Sequence, residues 1–159
     1  MALCPAESLV ECQGFDPADQ LERYVRWYRE GHLRSTGRCF DIGNTTREAL
    51  HRFERTHETW CGSTDLWAAG NGSVMRLAPV PMFFRRDTRS AIGKAGEGSR
   101  TTHGAPEAID ACRYYAGLLA GAFYGESAFR NRGWTGFVNA NSSRVSLSAS
   151  NRTLNTHSG

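Results

Sequence analysis

The residues best suited to chemistry are a glycine loop and the single arginine that follows it. The loop reads Gly70-Asn71-Gly72-Ser73, and Arg76 comes about one turn later. Glycines permit backbone angles and close approaches that a Cβ would block, and a helix behind such a turn points unpaired N–H groups at a ligand such as phosphate. Asn71 offers a donor and an acceptor, and Arg76 could fork onto a carboxylate or a phosphate. A plain glycine turn before a buried helix is the alternative.

His103 is the best single functional candidate among the five histidines. Because Pro106 suits the first turn of a helix, the imidazole is predicted to lie at a helix N-terminus. The partly positive field there lowers the pKa of a histidine and favours its neutral form. A neutral imidazole donates one hydrogen bond and accepts another, which suits a phosphate or a ribose. A histidine that only caps the helix or packs in the core is the alternative.

Taken together, the two motifs resemble the ADP-ribosylglycohydrolase family. Gly70 to Pro79 is similar to its G-N-G-x-x-M-R-x-x-P element, and Ser99 to Pro106 to its S-x-x-T-H-x-x-P segment, in the same order and at about the same spacing. The resemblance covers roughly residues 1–125 and implies an all-α fold, a compact multi-helix orthogonal bundle. It also implies hydrolysis of the N- or O-glycosidic bond of ADP-ribosylated proteins or metabolites. The residues that would bind the ADP-ribose are Gly70, Asn71, Gly72, Ser73, Arg76, Thr102 and His103.

The same resemblance implies two magnesium ions, but the sequence does not contain the family's metal motifs. In the family, Thr-Asp-Asp-Thr stands just before a helix that often opens Met-Ala-Leu, and Asp-x-Asp-Thr follows later. Paired carboxylates and a hydroxyl are the ligands that a hard cation such as Mg²⁺ needs. Here the chain begins at Met1-Ala2-Leu3 and neither motif is present. We therefore interpret the sequence as a partial enzyme, truncated or read from an internal start, with unknown catalytic residues and no metal ligands.

Three functions stay open on this reading. The first is a partial ADP-ribosylglycohydrolase, and the second is a non-catalytic ADP-ribose-binding or structural helical remnant of one. The third is an unrelated all-α interaction domain whose glycine loop is a plain turn. The linkage that would be cleaved does not follow from the sequence.

Helical periodicity predicts the elements that must position these residues. A first helix begins directly at Leu3, and the apolar spacing of the second is that of an amphipathic helix over 16–30. Thr45 to Glu48 reads as a capping box for a third helix, and Asp65 caps a turn or contacts a metal or ribose. The remaining segments read as a loop over 31–43, a connector over 56–69, a helix start over 77–84, a flexible stretch over 93–98 and an apolar scaffold helix over 107–123.

The composition is that of an ordinary globular protein and argues against several classes. The chain has 159 residues, a net charge of +3 and, among 19 basic residues, the single lysine Lys94. No basic stripe or patch is present, so we expect no nucleic-acid partner. Five cysteines without a C-x-x-C pair suggest neither a disulfide framework nor a zinc site. We read no signal peptide and no 18-residue apolar span, so we expect a cytoplasmic location and no membrane partner.

The composition changes near residue 126. No acidic residue follows Glu126, and serines and asparagines come in short runs. We predict two regions: a partial ADP-ribosylglycohydrolase domain over 1–125 and a low-complexity, disordered tail over 126–159.

Overall fold

The described part of the chain, residues 1–124 of a computed structural model, is built from α-helices. The helices are α1 (Leu3–Glu11), α2 (Pro17–Arg29), α3 (Asn44–Thr56), α4 (Gly72–Met75), α5 (Pro79–Phe83), α6 (Thr88–Arg100) and α7 (Pro106–Tyr124). A 3-10 turn, Leu66–Ala68, precedes α4. Within these residues the β-structure is limited to one isolated parallel bridge, Ser63 with His103, so the all-α prediction is confirmed. The predicted tail over 126–159 lies outside the described residues.

Aspartates begin two of the helices and the 3-10 turn. Asp16 accepts hydrogen bonds from the backbone N–H groups of Ala18 and Asp19, with Pro17 in the first position of α2. Asp87 caps α6 in the same way. Asp65 accepts from the backbone N–H of Trp67 at 2.9 Å, so it caps the 3-10 turn. Capping satisfies N–H groups that a helix leaves unpaired at its start.

Two predicted local features are wrong. The capping box at Thr45–Glu48 does not form, because α3 already begins at Asn44 and its N-cap, Gly43, makes no side-chain cap hydrogen bond. Residues 93–98 are not a flexible stretch but lie inside the continuous helix α6. Packing explains the second difference: a Cβ on Gly96 would lie 2.7 Å from the Nε atom of Arg113 on α7, so small residues let the two helices approach closely.

Two clusters of buried side chains form the core. The first cluster joins α1, α2 and α3 through Cys4, Leu21, Tyr24, Trp27, Ala49, Leu50, Phe53 and Cys61. The second joins α1 to α5, α6 and α7 through Leu9, Leu77, Val80, Ala95, Cys112 and Ala116. Arg76 bonds into the first cluster, since its Nε donates to the hydroxyl of Tyr24 at 3.2 Å. None of the helices in residues 1–124 is long and apolar enough to cross a membrane.

A nearly buried arginine ties α1 to α2. The guanidinium of Arg23 lies 2.5 Å from Glu7, 2.7 Å from Glu11 and 2.7 Å from Asp19. Only 9% of the Arg23 side chain is exposed, so these three carboxylates supply the partners that a buried cation requires. The hydrogen bond from Arg23 lowers the pKa of Asp19.

Candidate functional site

A cavity of about 510 Å³ brings parts of both predicted motifs into one lining. The glycine loop from Gly70 to Gly72 contributes to it, together with Arg76 and His103. The end of α2, the loop that follows it and the start of α3 supply Trp27, Arg34, Phe40, Asp41, Ile42, Gly43, Asn44, Thr45 and Thr46. Its size is that of a small-molecule binding site.

The two glycines of the loop make room for an imidazole. A Cβ on Gly72 would lie 2.9 Å from Cε1 of His103 and 3.3 Å from the hydroxyl oxygen of Thr46. A Cβ on Gly70 would lie 3.4 Å from Nε2 of the same ring. Neither glycine has a positive φ, so the close approach, and not a left-handed backbone, is what requires glycine here. The helix behind the loop, α4, has only four residues, so its dipole gives little attraction for phosphate.

The guanidinium of Arg76 makes several hydrogen bonds within the protein. Its residue is only 4% exposed, and its Nη1 donates to the carbonyl of Gly72 at 3.1 Å. Its Nη2 donates to the hydroxyl of Thr102 at 2.6 Å and lies within hydrogen-bonding distance of Thr101 and of the Gly98 carbonyl. These bonds join α4 to the end of α6, so Arg76 organises the site as well as lining it.

Thr102 and His103 form the next link from Arg76. The Thr102 hydroxyl oxygen lies 2.8 Å from Nδ1 of His103, and both side chains are buried. A guanidinium can only donate, so the hydroxyl accepts from Arg76 and its own proton is free to be donated to Nδ1. A neutral ring that accepts at Nδ1 carries its proton on Nε2, the nitrogen that faces the Gly70–Gly72 loop.

Burial explains the protonation state of His103. Desolvation lowers its pKa from 6.5 to about 4, and the positive charge of Arg76 acts in the same direction. The predicted neutral form is therefore supported, and burial beside a cation is its main cause. The contribution expected from the N-terminal field of α7 stays a prediction.

Backbone contacts hold His103 from two sides. Its N–H donates to the carbonyl of Ser99 at 2.7 Å, and the Ser99 hydroxyl donates back to the carbonyl of His103 at 2.9 Å. On the other side the connector before the glycine loop lies directly against this segment, since a Cβ on Gly62 would be 2.6 Å from the His103 nitrogen. The ring therefore stands on rigid backbone, as a ligand-binding group requires.

Ser73 lies in the core, away from the other predicted site residues. Its hydroxyl oxygen lies 3.0 Å from that of Ser99 and accepts a hydrogen bond from the thiol of Cys112 at 3.4 Å. The residue is 2% exposed and does not line the cavity. Ser73 thus joins α4 to α6 and α7. Thr102 is connected to the cavity through Arg76 and His103, which both line it.

The loop over 31–43 contributes cavity residues for which the sequence predicts no role. Arg34 and Phe40 of this loop line the cavity, together with Trp27 from the end of α2 and Thr46 from the start of α3. The one signal of the loop in the sequence is an aromatic residue and several arginines among polar residues. That pattern gives no contact partner and no distance, so it does not identify a binding site.

The described residues do not fit a magnesium site. No group of three or more His, Cys, Asp or Glu side chains comes together among residues 1–124. In the cavity lining, Asp41 is the one carboxylate, accompanied by the hydroxyls of Thr45 and Thr46. A hard divalent cation takes about six oxygen ligands, usually with more than one carboxylate at a site of two ions.

Comparison with known proteins places these observations in a family. The family model described as ADP-ribosylglycohydrolase matches residues 1–150, and the chain belongs to the ADP-ribosylglycohydrolase family. The ADP-ribosylarginine hydrolase Tri1 of Serratia proteamaculans (strain 568) is 40% identical over 119 residues, which are 75% of this chain. The protein of the same name from Pseudomonas putida (strain GB-1) is 43% identical over 119 residues.

A solved structure agrees with the assignment and with the fold. A chain of an "ADP-ribosylglycohydrolase-related protein complex" matches with a TM-score of 0.64 and 42% identity, over 78% of this chain and 38% of that one. The chain spans about a third of the length of the curated relatives it matches, 32% in each case. Both the family resemblance of the two motifs and the all-α bundle are thereby confirmed.

Proposed function

We propose that this chain binds the ADP-ribose moiety of ADP-ribosylated arginine side chains. The observation that carries the proposal is the single cavity in which the Gly70–Gly72 loop, Arg76 and His103 meet. The arginine linkage is proposed because both Tri1 relatives are ADP-ribosylarginine hydrolases.

Each group has a defined part in this binding. The loop glycines let a ligand approach the backbone and the imidazole closely, because a side chain at either position would fill that space. His103 offers Nε2–H as a fixed neutral donor, suited to a ribose hydroxyl or a phosphate oxygen. Arg76 adds a buried positive charge to the lining and holds Thr102 in place.

The role that follows is that of an ADP-ribosylglycohydrolase, which cleaves the bond between the ribose and the arginine guanidino group. Hydrolysis in this family is expected to use two magnesium ions, and the described residues do not fit their site. This observation favours a second candidate, a chain that binds ADP-ribose without hydrolysing it.

Two measurements test the proposal and separate the candidates. Isothermal titration calorimetry of the full chain with ADP-ribose should show binding that His103→Ala weakens about tenfold or more. The matched control is His51→Ala, since His51 lies on α3 outside the cavity lining. No binding by the unaltered chain would sink the proposal.

Hydrolysis is measured with an ADP-ribosylated arginine substrate, with and without added Mg²⁺. The Tri1 protein of Serratia proteamaculans serves as the positive control for the substrate. Release of ADP-ribose by this chain supports the hydrolase role. Binding without release supports the non-catalytic candidate.

A further inference from the structure

Arg34 contacts two aromatic rings in the cavity wall. Its guanidinium carbon lies 4.1 Å from the centre of the Trp27 ring and 4.8 Å from that of Phe40. Both contacts are cation–π interactions, and they hold the guanidinium in the wall of the cavity.

The loop that carries Arg34 is shaped to keep it there. Gly31 and Gly37 both adopt a positive φ, +74° and +65°. A Cβ on Gly31 would lie 2.1 Å from the carbonyl oxygen of Gly37, so the two ends of this turn touch through backbone alone. The backbone N–H of Arg34 donates to the Gly31 carbonyl at 3.1 Å, and the backbone N–H of Gly37 donates to the Arg34 carbonyl at 3.2 Å. Arg34 is thus placed before any ligand arrives.

The donors of Arg34 are poorly used within residues 1–124. Nη2 makes one long contact, 3.4 Å, to the carbonyl oxygen of Asp41. Nη1 is buried and has no hydrogen-bond partner among the described residues. A buried cationic N–H without a partner is costly, which indicates that its acceptor comes from outside these residues.

The charges of the cavity lining indicate that the acceptor of the Arg34 hydrogen bond is an anion. Arg34 and Arg76 both line it, and within the described part of the chain neither makes an ion pair with a carboxylate. Among the described residues that line the cavity, Asp41 is the one acidic residue, against two guanidinium groups. The uncompensated charge is positive, and a planar guanidinium recognises phosphate oxygens well.

We propose that Arg34 binds the diphosphate of ADP-ribose, as a guanidinium oriented by Trp27 and Phe40. This inference rests on the proposed function, because it assigns the anionic part of the same ligand to a residue of the α2–α3 loop. A binding arginine in this loop leaves the Gly70–Gly72 loop and His103 to the ribose side of the ligand.

The test uses the full chain, calorimetric titration and three ligands: ADP-ribose, inorganic pyrophosphate and adenosine. Arg34→Gln removes the charge, and Arg38→Gln is the matched control because Arg38 is an exposed arginine of the same loop that does not line the cavity. We expect Arg34→Gln to weaken ADP-ribose and pyrophosphate binding about 10- to 100-fold and to leave adenosine binding unchanged. Arg38→Gln should change the dissociation constant for ADP-ribose less than about twofold. Raising the salt concentration should weaken ADP-ribose binding more in the unaltered chain than in Arg34→Gln.

The outcomes separate this inference from the proposed function. If the unaltered chain does not bind ADP-ribose, the proposed function fails and the inference fails with it. If the unaltered chain binds and Arg34→Gln binds equally well, only the inference fails. Tighter binding of ADP-ribose by Arg34→Gln also overturns it.

A second variant keeps the test decisive should Arg34→Gln not fold. Arg34→Lys keeps the positive charge but loses the planar fork that the two rings orient. We expect about a threefold to tenfold loss of affinity for ADP-ribose from this variant. Unchanged affinity in a folded Arg34→Lys protein would contradict a guanidinium-specific contact.

Discussion

The hydroxyl oxygen of Thr102 accepts a hydrogen bond from Arg76 at 2.6 Å and lies 2.8 Å from Nδ1 of His103. The Thr102 side chain thereby connects the buried guanidinium of Arg76 to the buried imidazole of His103. The consequence is a defined tautomer, with the proton on Nε2, where the ring meets the glycine loop. Arg76 therefore positions His103, and it does so through a group that does not itself line the cavity.

Thr102→Val should break this link while keeping the shape of the side chain. The valine leaves Nη2 of Arg76 and Nδ1 of His103 without their shared partner, so we expect a loss of about 2–4 kcal/mol in the free energy of unfolding. Nitrogen-15 chemical shifts of the His103 ring, measured by NMR, should move towards a mixture of the two tautomers.

Thr102→Ser is the matched control for that change, because serine retains the hydroxyl. It should keep the Nε2–H tautomer and most of the affinity for ADP-ribose. Identical ring shifts in the valine and serine variants would show that Thr102 does not determine the tautomer.

Gly72→Ala should damage the site because its Cβ would meet the imidazole. The new carbon would lie 2.9 Å from Cε1 of His103, a ring that is only 2% exposed and that contacts Thr102 through its Nδ1 atom. We expect a loss of about 1–3 kcal/mol in the free energy of unfolding and weaker ADP-ribose binding. Chemical denaturation and calorimetric titration measure the two effects.

Gly93→Ala is the control of the same chemical change. Gly93 lies in α6 with nothing within 4 Å of the position of a Cβ, so alanine there should stabilise the protein by about 0.5–1 kcal/mol. Equal effects of the two substitutions would contradict the steric reason given for Gly72.

The fold and the identity of the motifs were predictable from sequence, and the roles of single side chains were less so. Glycine spacing and Pro106 identified the loop, His103 and the start of α7 because local signals determine those features. Ser73 and Arg76 belong to the same motif, yet Ser73 faces the core and Arg76 bonds mainly to its own protein. The orientation of each side chain depends on contacts between α4 and α6, and no local sequence pattern predicts those contacts.

The contact between Trp27 and Arg34 in the cavity wall is likewise not predictable from local sequence. Both residues are visible in the sequence, but their contact depends on the backbone of Gly31 against Gly37. The glycines of α6 led to the wrong prediction of a flexible stretch over 93–98. Helix–helix packing against α7 outweighs their low helix propensity.

His103 should make the stability of the protein depend on pH between about 6.5 and 4. Its pKa is about 4 in the folded chain and 6.5 ordinarily, so in this window the unfolded chain binds a proton that the folded chain does not. The free energy of unfolding must then fall as the pH falls, by up to about 1.4 kcal/mol per pH unit. Urea unfolding at several pH values should show a flatter slope for His103→Gln than for His51→Gln. Equal slopes would contradict the buried neutral ring.

Arg23→Met should weaken the contact between α1 and α2. The methionine keeps an apolar stem but removes the guanidinium from Glu7, Glu11 and Asp19, of which Glu7 retains His32 at 2.7 Å. We expect a loss of about 1–3 kcal/mol in the free energy of unfolding at neutral pH, less than for a fully buried pair because the carboxylates are partly exposed. Arg113→Met is the control, since that arginine and its partner Asp110 are 50% and 71% exposed and the pair should contribute less than about 0.5 kcal/mol.

The acid limb of the stability curve tests the same network. The hydrogen bond from Arg23 holds the pKa of Asp19 below its ordinary value of 3.8, so this carboxylate stabilises the fold above about pH 4. That contribution is lost as the pH falls through the lower, folded-state pKa. Urea unfolding between pH 5 and pH 2 should therefore show a steep acid loss in the unaltered chain, flattened in Arg23→Met and retained in Arg113→Met. An equally steep loss in Arg23→Met would mean that other carboxylates cause the acid sensitivity.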